Sequence, residues 1–233
     1  MQAEEIGGYA RYAIYWAPQP GSALAEAGID WLGYDPMTGR GDPARASDPR
    51  VSTPRVYGLH ATLKPPFRLA EGATPHALDA AVAALAARLA PAVAPDLAVD
   101  GDLGFLALRP SGPCPAIDAL AARVVRDFDS FRAPLTDTER ARRRADMLSP
   151  DARARLERWG YPHVLDAFRF HITLTGRLAR DEAEATARAL RIRFAPHLGG
   201  RFAVDALALF GDPGNGAGFR HLRHHPLTGS DAA

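Results

Sequence analysis

The chain has 233 residues, of which 47% are hydrophobic and 24% are charged, so it is long enough to bury a full hydrophobic core. Its 28 basic and 27 acidic residues nearly cancel, which argues against a general nucleic-acid or membrane-surface binder. The single cysteine, Cys114, excludes an internal disulfide and suits a reducing cytoplasm. The acidic start lacks the features of a signal peptide, and no apolar run is long enough to span a bilayer. We therefore expect a cytoplasmic, monomeric protein.

The first quarter of the sequence predicts a strand, a helix and a long loop. Residues 11–18 are rich in aromatic and β-branched residues, which is typical of a strand. Ser22 is a suitable cap for a helix that runs to about Leu32, and Gly33 is a suitable terminator. Residues 34–56 carry three Asp-Pro pairs and no periodicity, which predicts a loop that is either a functional lid or disordered.

The next part of the chain predicts a strand, a helix and two further strands. A strand at residues 58–67 precedes a helix whose apolar stripe begins at Leu78. Two short strands follow, at residues 97–100 and 105–109, with glycines in the turn between them.

The same order of elements is predicted again near the C-terminus. A strand at residues 168–178 precedes a helix with a capping-box-like start at Asp181 and Glu184. Strands at residues 201–210 and 219–223 follow, joined by a glycine-rich turn. The repetition indicates two similar α+β lobes, which cover about residues 8–112 and 160–225.

A helical connection over residues 113–159 joins the two predicted lobes. Apolar residues at helical spacing predict its first helix, and Thr136 with Glu139, then Ser149, provide start signals for two more. The last two helices carry seven arginines, for which we expect a solvated, salt-bridged face; an anion-attracting wall beside a cleft is the alternative. We expect residues 1–233 to form a single bilobal domain with this helical insertion.

The pattern H-x-T-L occurs twice, as HATL at residues 60–63 and as HITL at residues 171–174. Residues i and i+2 of a strand project from one face, so each histidine shares a face with the threonine that follows it. The apolar residues between and around them then point into the core. Two such copies arise by chance in roughly one chain in a thousand of this composition, so the pattern predicts a functional site.

Two imidazoles and two hydroxyls suit acid–base chemistry on a phosphodiester. A neutral histidine accepts a proton from the attacking oxygen, and a protonated one donates to the leaving oxygen. The hydroxyls of Thr62 and Thr173 can bind the phosphate, and Lys64, which continues the polar stripe of the first motif strand, can stabilise its charge. The motif lacks the further ligands of a zinc site, so we expect no metal and no other cofactor.

Other residues near the motifs are weaker candidates. Tyr12, Tyr15, Lys64 and Arg169 are expected to bind substrate, on strand phase or proximity to the motifs. The remaining histidines receive no role: His221, His224 and His225 are expected to lie in a polar C-terminal tail, and His76, His163 and His197 repeat no pattern.

HATL and HITL together resemble the paired H-x-[ST]-hydrophobic signature of the 2H phosphoesterase superfamily. This resemblance implies two lobes with antiparallel sheets in a pseudo-twofold arrangement around a central cleft. It also implies that His60, Thr62, His171 and Thr173 form the catalytic set. Members of the superfamily include 2′,3′-cyclic nucleotide phosphodiesterases and RNA 2′-5′ ligase-like proteins. RYAIYWAP, GIDWLGYDPMTGR, LHATLKPPF and FRFHITLTGRL further resemble a branch associated with phosphonate-utilisation gene clusters.

The sequence therefore predicts a hydrolase, a 2H-type cyclic phosphodiesterase that acts on a small nucleotide or ribose cyclic phosphate. The main alternative is a non-catalytic protein that binds a phosphorylated nucleotide or sugar phosphate in the same cleft. Both histidines favour the enzyme, because a binder does not require a matched acid and base. A nucleic-acid partner is not expected from the near-neutral charge, although RNA ends remain an alternative substrate.

Overall fold

A computed structural model describes residues 6–233, and the acidic start of the chain at residues 1–5 lies outside the described residues. The described residues form an α+β structure with seven α-helices and eleven strands. The strands are β1 (Arg11–Trp16), β2 (Tyr34–Asp35), β3 (Arg40–Gly41), β4 (Ala61–Phe67), β5 (Ala92–Ala94), β6 (Ala98–Asp100), β7 (Ala107–Arg109), β8 (Ile172–Thr173), β9 (Phe202–Val204), β10 (Ala206–Asp212) and β11 (Arg220–Pro226). The helices are α1 (Ala23–Leu32), α2 (Pro43–Ala46), α3 (Pro75–Ala86), α4 (Pro115–Asp127), α5 (Asp137–Arg142), α6 (Pro150–Trp159) and α7 (Arg180–Phe194).

One antiparallel sheet of seven strands organises residues 6–233, in the order β11-β10-β1-β4-β8-β7-β6. The two motif strands, β4 and β8, are therefore neighbours in the middle of this sheet. Two small ribbons, β2 with β3 and β5 with β9, pair separately. The two predicted lobes therefore contribute strands to one shared sheet. The pseudo-twofold relation between the two lobes stays a prediction.

The two faces of the sheet have different surroundings. One face packs under α3, α4 and α7 and forms the main hydrophobic core. The apolar neighbours of the motif residues belong to this core, as the alternation predicts: Leu59, Ala61, Leu63, Phe170, Ile172 and Leu174 are all buried. A smaller cluster that includes Ala13, Tyr15, Ala208, Phe210 and Phe219 covers part of the opposite face, which we call the cleft face.

Most predicted helix ends are confirmed by their caps. The Ser22 side chain accepts from the amide of Ala25, and α1 ends at Gly33 with φ of 65°, a conformation that favours glycine. The capping box between Thr136 and Glu139 is present at the start of α5. The capping box predicted at Asp181 is wrong. Helix α7 begins one residue earlier, after Ala179, and its acidic first turn instead complements the helix dipole.

Three of the seven arginines predicted in these helices, Arg140, Arg155 and Arg158, form surface ion pairs, which favours the simpler interpretation. Arg140 of α5 pairs with Glu157 of α6 at 3.1 Å. Arg158 of α6 pairs with Asp129 at 2.6 Å. The two helices are thereby bound to each other and to the turn that follows α4.

Two segments are more structured than the sequence indicates. Residues 34–56 contain the β2–β3 hairpin and α2, and Arg55 holds the segment through a 3.0 Å hydrogen bond from Nη2 to the Gly33 carbonyl. The strand predicted at residues 201–210 is interrupted at Asp205, because β9 pairs with β5 while β10 joins the main sheet. Strand β5 has no clear signal in the sequence.

The predicted polar C-terminal tail is wrong. Its histidines lie in β11, which pairs with β10 at the edge of the sheet. His221 is buried and stacks on Phe210, with ring centroids 4.7 Å apart, and His225 lies 2.8 Å from a carboxylate oxygen of Asp79. Cys114 is a buried free thiol. Each helix within residues 6–233 is too short or too polar to cross a bilayer.

Candidate active site

The pairing of β4 with β8 brings the two motifs together. Ala61 and Ile172 are direct partners in this antiparallel pair. Partner numbers run in opposite directions, so His60 lies across from Thr173 and Thr62 lies across from His171. Because side chains alternate, all four lie on the face opposite to Ala61 and Ile172. Direct partners have Cβ atoms about 4.5–5.5 Å apart, so these four residues form one compact group, which we call the motif block.

Both imidazoles are held in the same way. Nδ1 of His60 lies 2.9 Å from the carbonyl oxygen of Gly58, and Nδ1 of His171 lies 2.7 Å from the carbonyl oxygen of Arg169. A carbonyl oxygen only accepts, so Nδ1 carries the hydrogen in each ring. Nε2 of each neutral imidazole is then left with a lone pair for a ligand. The two motifs therefore present equivalent nitrogen atoms.

His60 has an aromatic surrounding that favours its neutral form. Its ring centroid lies 4.2 Å from that of Tyr15 and 5.5 Å from that of Tyr57. Burial is the main cause that lowers the pKa of His60 to about 4; the Gly58 carbonyl opposes this change and His171 adds to it. In the free protein, His60 is therefore neutral at neutral pH.

His171 is perturbed in the same direction. Its ring lies 5.7 Å from the ring of Phe105. Burial lowers the pKa of His171 below its usual 6.5, the Arg169 carbonyl opposes this, and the positive charge of Arg109 lowers it further. The β7–β8 register explains the last effect, because Leu108 pairs with Ile172 and the next position brings Arg109 opposite His171.

A cleft of about 430 Å³ opens beside the motif block, with Thr62 and His171 among the residues that line it. This volume lies in the range of about 300–1,000 Å³ that is typical of small-molecule sites. Phe105 and Tyr161 supply aromatic walls, and Arg177 supplies a positive charge. The cleft has the size and the mixed polar and apolar lining that are typical of a small-molecule site.

The structure brings two of the four weaker candidates to this region. Tyr15 is the direct partner of Thr62 in the β1–β4 pair, so it lies on the cleft face. Arg169 is exposed and lines the cleft, and its Nη1 donates to the carbonyls of Asp166 and Phe168. Whether either residue contacts substrate stays a prediction.

The expected placement of Tyr12 is wrong, because it lies three residues before Tyr15 and the strand alternates. Tyr12 is 2% exposed and belongs to the main core on the other face. Its hydroxyl donates to the Ile6 carbonyl at 2.9 Å. This contact explains how the core accommodates a polar group at this position, since the buried hydroxyl has an acceptor.

The expected placement of Lys64 is also wrong. The β1–β4 register shifts between the pairs Tyr15–Thr62 and Ile14–Lys64, and this β-bulge turns Lys64 away from the motif block. Lys64 is 1% exposed, and its Nζ donates to the Val125 carbonyl at 3.0 Å. Burial lowers its pKa to about 8, an effect that nearby Asp129 partly offsets.

Several residues of the site were missed in the sequence. Tyr57 contacts His60, and Phe105, Tyr161, His163 and Arg177 line the cleft. Tyr57 and Arg177 lie within a few residues of the two motifs, which is the one signal that could have indicated them. The others come from distant segments and have no such signal.

Metal ligands are not grouped in the described part of the chain. Within residues 6–233, no set of three or more histidine, cysteine, aspartate or glutamate side chains lies close enough to hold a metal ion. The independence from metal that the motif predicts is a question for experiment.

A family model matches residues 62–220, which is more than half of the chain and includes three of the four motif residues. Its description is "Protein of unknown function (DUF1045)". The chain belongs to this DUF1045 family.

Two similar proteins carry the name ribose 1,5-bisphosphate phosphokinase PhnN. The protein of Janthinobacterium sp. (strain Marseille) is 38% identical over 232 residues, which cover 94% of this chain and 51% of the relative. The protein of Laribacter hongkongensis (strain HLHK9) is 37% identical over 222 residues, which cover 91% of this chain and 51% of the relative. The chain thus spans about half the length of the curated relatives it matches.

Proposed function

We propose that this chain is a metal-independent phosphoesterase that hydrolyses a small cyclic phosphodiester in the cleft beside the motif block. The observation that carries the proposal is the β4–β8 register, with Ala61 opposite Ile172. It gives a group of two histidines and two threonines on one sheet face, each histidine with an equivalent free Nε2. A binding protein needs donors, whereas this arrangement supplies a matched pair of proton carriers.

The proposed reaction uses one histidine as base and the other as acid. Nε2 of neutral His60 accepts a proton from water while the water oxygen forms a bond to phosphorus. The ring P–O bond breaks, and Nε2 of protonated His171 donates its proton to the leaving oxygen. The product is an open phosphomonoester, and proton exchange with solvent restores both rings. His60 is assigned as the base because its pKa, at about 4, is the one more strongly lowered by burial.

The threonines are proposed to bind the phosphate. Each hydroxyl of Thr62 and Thr173 lies across the strand pair from a histidine and can donate to a non-bridging oxygen. A bound phosphate anion also favours the charged form of His171, which counteracts the effect of burial. Substrate binding thereby helps to create the acid that the reaction needs.

The substrate class is proposed from the relatives and from the resemblance to phosphonate-associated proteins. The name of the relatives describes a kinase that acts on ribose 1,5-bisphosphate. This chain has one lysine, Lys64, and no Gly-x-x-x-x-Gly-Lys-Ser/Thr sequence, so we assign that kinase activity to the half of the relatives that the chain does not match. Fusion to such a kinase supports a ribose cyclic phosphate as substrate and a place in phosphonate metabolism.

The test is hydrolysis of a panel of cyclic phosphates by purified protein treated with a chelator. We expect the ring to open to a phosphomonoester, which phosphorus NMR detects. The rate of ring opening should not change when divalent ions are added. His60→Ala and His171→Ala should each abolish most of the hydrolytic activity. His76 is an exposed histidine away from the cleft, so His76→Ala should retain that activity. Activity that disappears with chelator and returns only with a divalent ion contradicts the proposed mechanism. Tight binding without turnover would favour a sugar-phosphate-binding protein instead.

A further inference from the structure

The cleft beside the motif block carries positive charge that no acidic residue in its lining balances. Among the residues that the structure describes, this lining contains Arg169 and Arg177 but neither aspartate nor glutamate. His163 also lines it, and burial together with nearby arginines lowers the pKa of His163. The motif block uses none of these cations, so their charge is available for another part of a ligand.

A second arginine-lined cavity on the protein differs in this respect. It has a volume of about 370 Å³ and includes Arg11, Arg68 and Arg142. Asp212 pairs with Arg11 at 2.6 Å and Glu139 pairs with Arg68 at 3.1 Å, so two of these three positive charges are already compensated. The cleft beside the motif block is therefore the better candidate for binding a further anion.

Arg177 lies on the wall of the cleft next to the motif block. Its guanidinium lies against Gly104, where a Cβ atom added to the glycine would be 3.7 Å from Nη1 of Arg177. The residue after Gly104, Phe105, places its ring 5.7 Å from that of His171. Arg177 follows Thr173 by four positions, so the two Cα atoms lie at most about 14 Å apart. Arg177 and His171 line the same cleft of about 430 Å³, a volume in the range that accommodates a small-molecule ligand.

Neither arginine is bound to a carboxylate. Within residues 6–233, Arg177 has no ion pair, and Arg169 uses its Nη1 on two backbone carbonyls, at 3.1 and 2.6 Å. Asp118 is near enough for the charge of Arg169 to lower its pKa, although burial raises that pKa more. Arg177 is thus the less compensated of the two cations.

We propose that Arg177, assisted by Arg169, binds a second phosphate group of the substrate while the cyclic phosphodiester lies on the motif block. This inference rests on the proposed function and narrows its substrate to a ribose cyclic phosphate that also carries a phosphomonoester. A guanidinium binds a phosphate dianion through two parallel hydrogen bonds, which gives both affinity and orientation. The second phosphate would thereby fix which ring oxygen faces His171.

The experiment compares ribose cyclic phosphate with and without a phosphate on C5. For the wild type, we expect kcat/KM to be roughly 10- to 100-fold higher with the C5 phosphate, as for one charged hydrogen-bonding contact. In Arg177→Gln the ratio of the two kcat/KM values should fall at least tenfold. Arg180→Gln is the matched control, because Arg180 is 91% exposed and is not among the residues of the cleft; its ratio should equal that of the wild type.

A binding measurement separates this inference from the proposed function. Ribose 5-phosphate and ribose are titrated calorimetrically into wild type and Arg177→Gln, with no turnover required. If the wild type binds ribose 5-phosphate more tightly than ribose and Arg177→Gln loses this preference, the phosphate subsite is supported. This result would support the subsite even if no substrate is hydrolysed and the proposed function fails. The subsite is overturned if the wild type has nearly equal kcat/KM values for the substrates with and without the C5 phosphate, or if Arg177→Gln leaves their ratio unchanged. In either case the proposed hydrolase activity itself is not contradicted.

Discussion

The ionisation of the two motif histidines predicts an acidic optimum for kcat/KM. A dependence of kcat/KM on pH reports the free enzyme, in which the base must be neutral and the acid protonated. His60 is neutral above about pH 4, and His171 is protonated only below a pKa that burial holds under 6.5. We therefore expect a bell whose maximum lies on the acidic side of neutrality, between about pH 4 and pH 6.5.

The expected changes in kcat/KM follow from the ionisation of one histidine on each side of the pH optimum. Above pH 6.5 the protonated fraction of His171 falls tenfold per pH unit, so kcat/KM at pH 8.5 should be at least ~100-fold below its maximum. The profile of kcat should extend to higher pH, because the bound phosphate anion favours the imidazolium. Circular dichroism across the same pH range is the control, and it should show that the protein remains folded while the rate changes.

Single variants assign the two limbs. His60→Ala should lose the acidic limb and His171→Ala the alkaline limb, each with a decrease of about 10²- to 10⁴-fold in kcat. A nitrophenyl phosphodiester, whose leaving group needs no proton, should depend on His60 much more than on His171. The assay is initial-rate kinetics from pH 3.5 to 9 with ribose cyclic phosphate and with the nitrophenyl ester.

Three results would refute this reasoning. One is an optimum of kcat/KM above pH 7.5, because His171 would then have to keep its proton against both burial and Arg109. Another is a rate of nitrophenyl ester hydrolysis that falls more in His171→Ala than in His60→Ala, because this result would reverse the roles of the two rings. A third is near-wild-type turnover in either variant, which would remove the paired-histidine mechanism altogether.

Other predictions concern the rest of the site and its support. Thr62→Ala and Thr173→Ala should each reduce kcat roughly 10- to 100-fold, less than either histidine change, while the corresponding serine variants retain most activity. Lys64→Met tests the buried lysine. The pKa of Lys64 in the folded protein, about 8, lies below its usual 10.5, so burial of the charged form lowers the free energy of unfolding below pH 8. This loss of stability disappears as the pH rises from 8 to 10.5, where the lysine is neutral. Denaturant unfolding should show the stability of wild type relative to Lys64→Met increasing by about 3 kcal/mol from pH 7 to 10.5; a constant difference argues against the buried charge. If residues 34–56 act as a lid, proteolysis within them should slow when a phosphate analogue binds, whereas equal cutting rates count against a lid.

The local parts of the site follow from the sequence alone. Alternation along a strand is a property of the backbone, so His60 and Thr62 share a face and Leu59, Ala61 and Leu63 are buried, as the structure shows. Helix caps such as Ser22 and Thr136 depend on contacts within three residues and were equally predictable. The repeated motif indicated the chemistry, because its four residue types suit proton transfer and phosphate binding.

Tertiary structure alone decided how these parts meet. The partners Ala61 and Ile172 are separated by 111 positions, and their register depends on packing across the whole sheet, which no local pattern encodes. A bulge against β1 moved Lys64 into the core, although the alternation of its own strand predicts the cleft. Arg177, Phe105 and Tyr161 reach one cleft from three separate segments. Local geometry is set by neighbouring residues, whereas register, bulges and cleft walls are set by contacts between segments far apart in the chain.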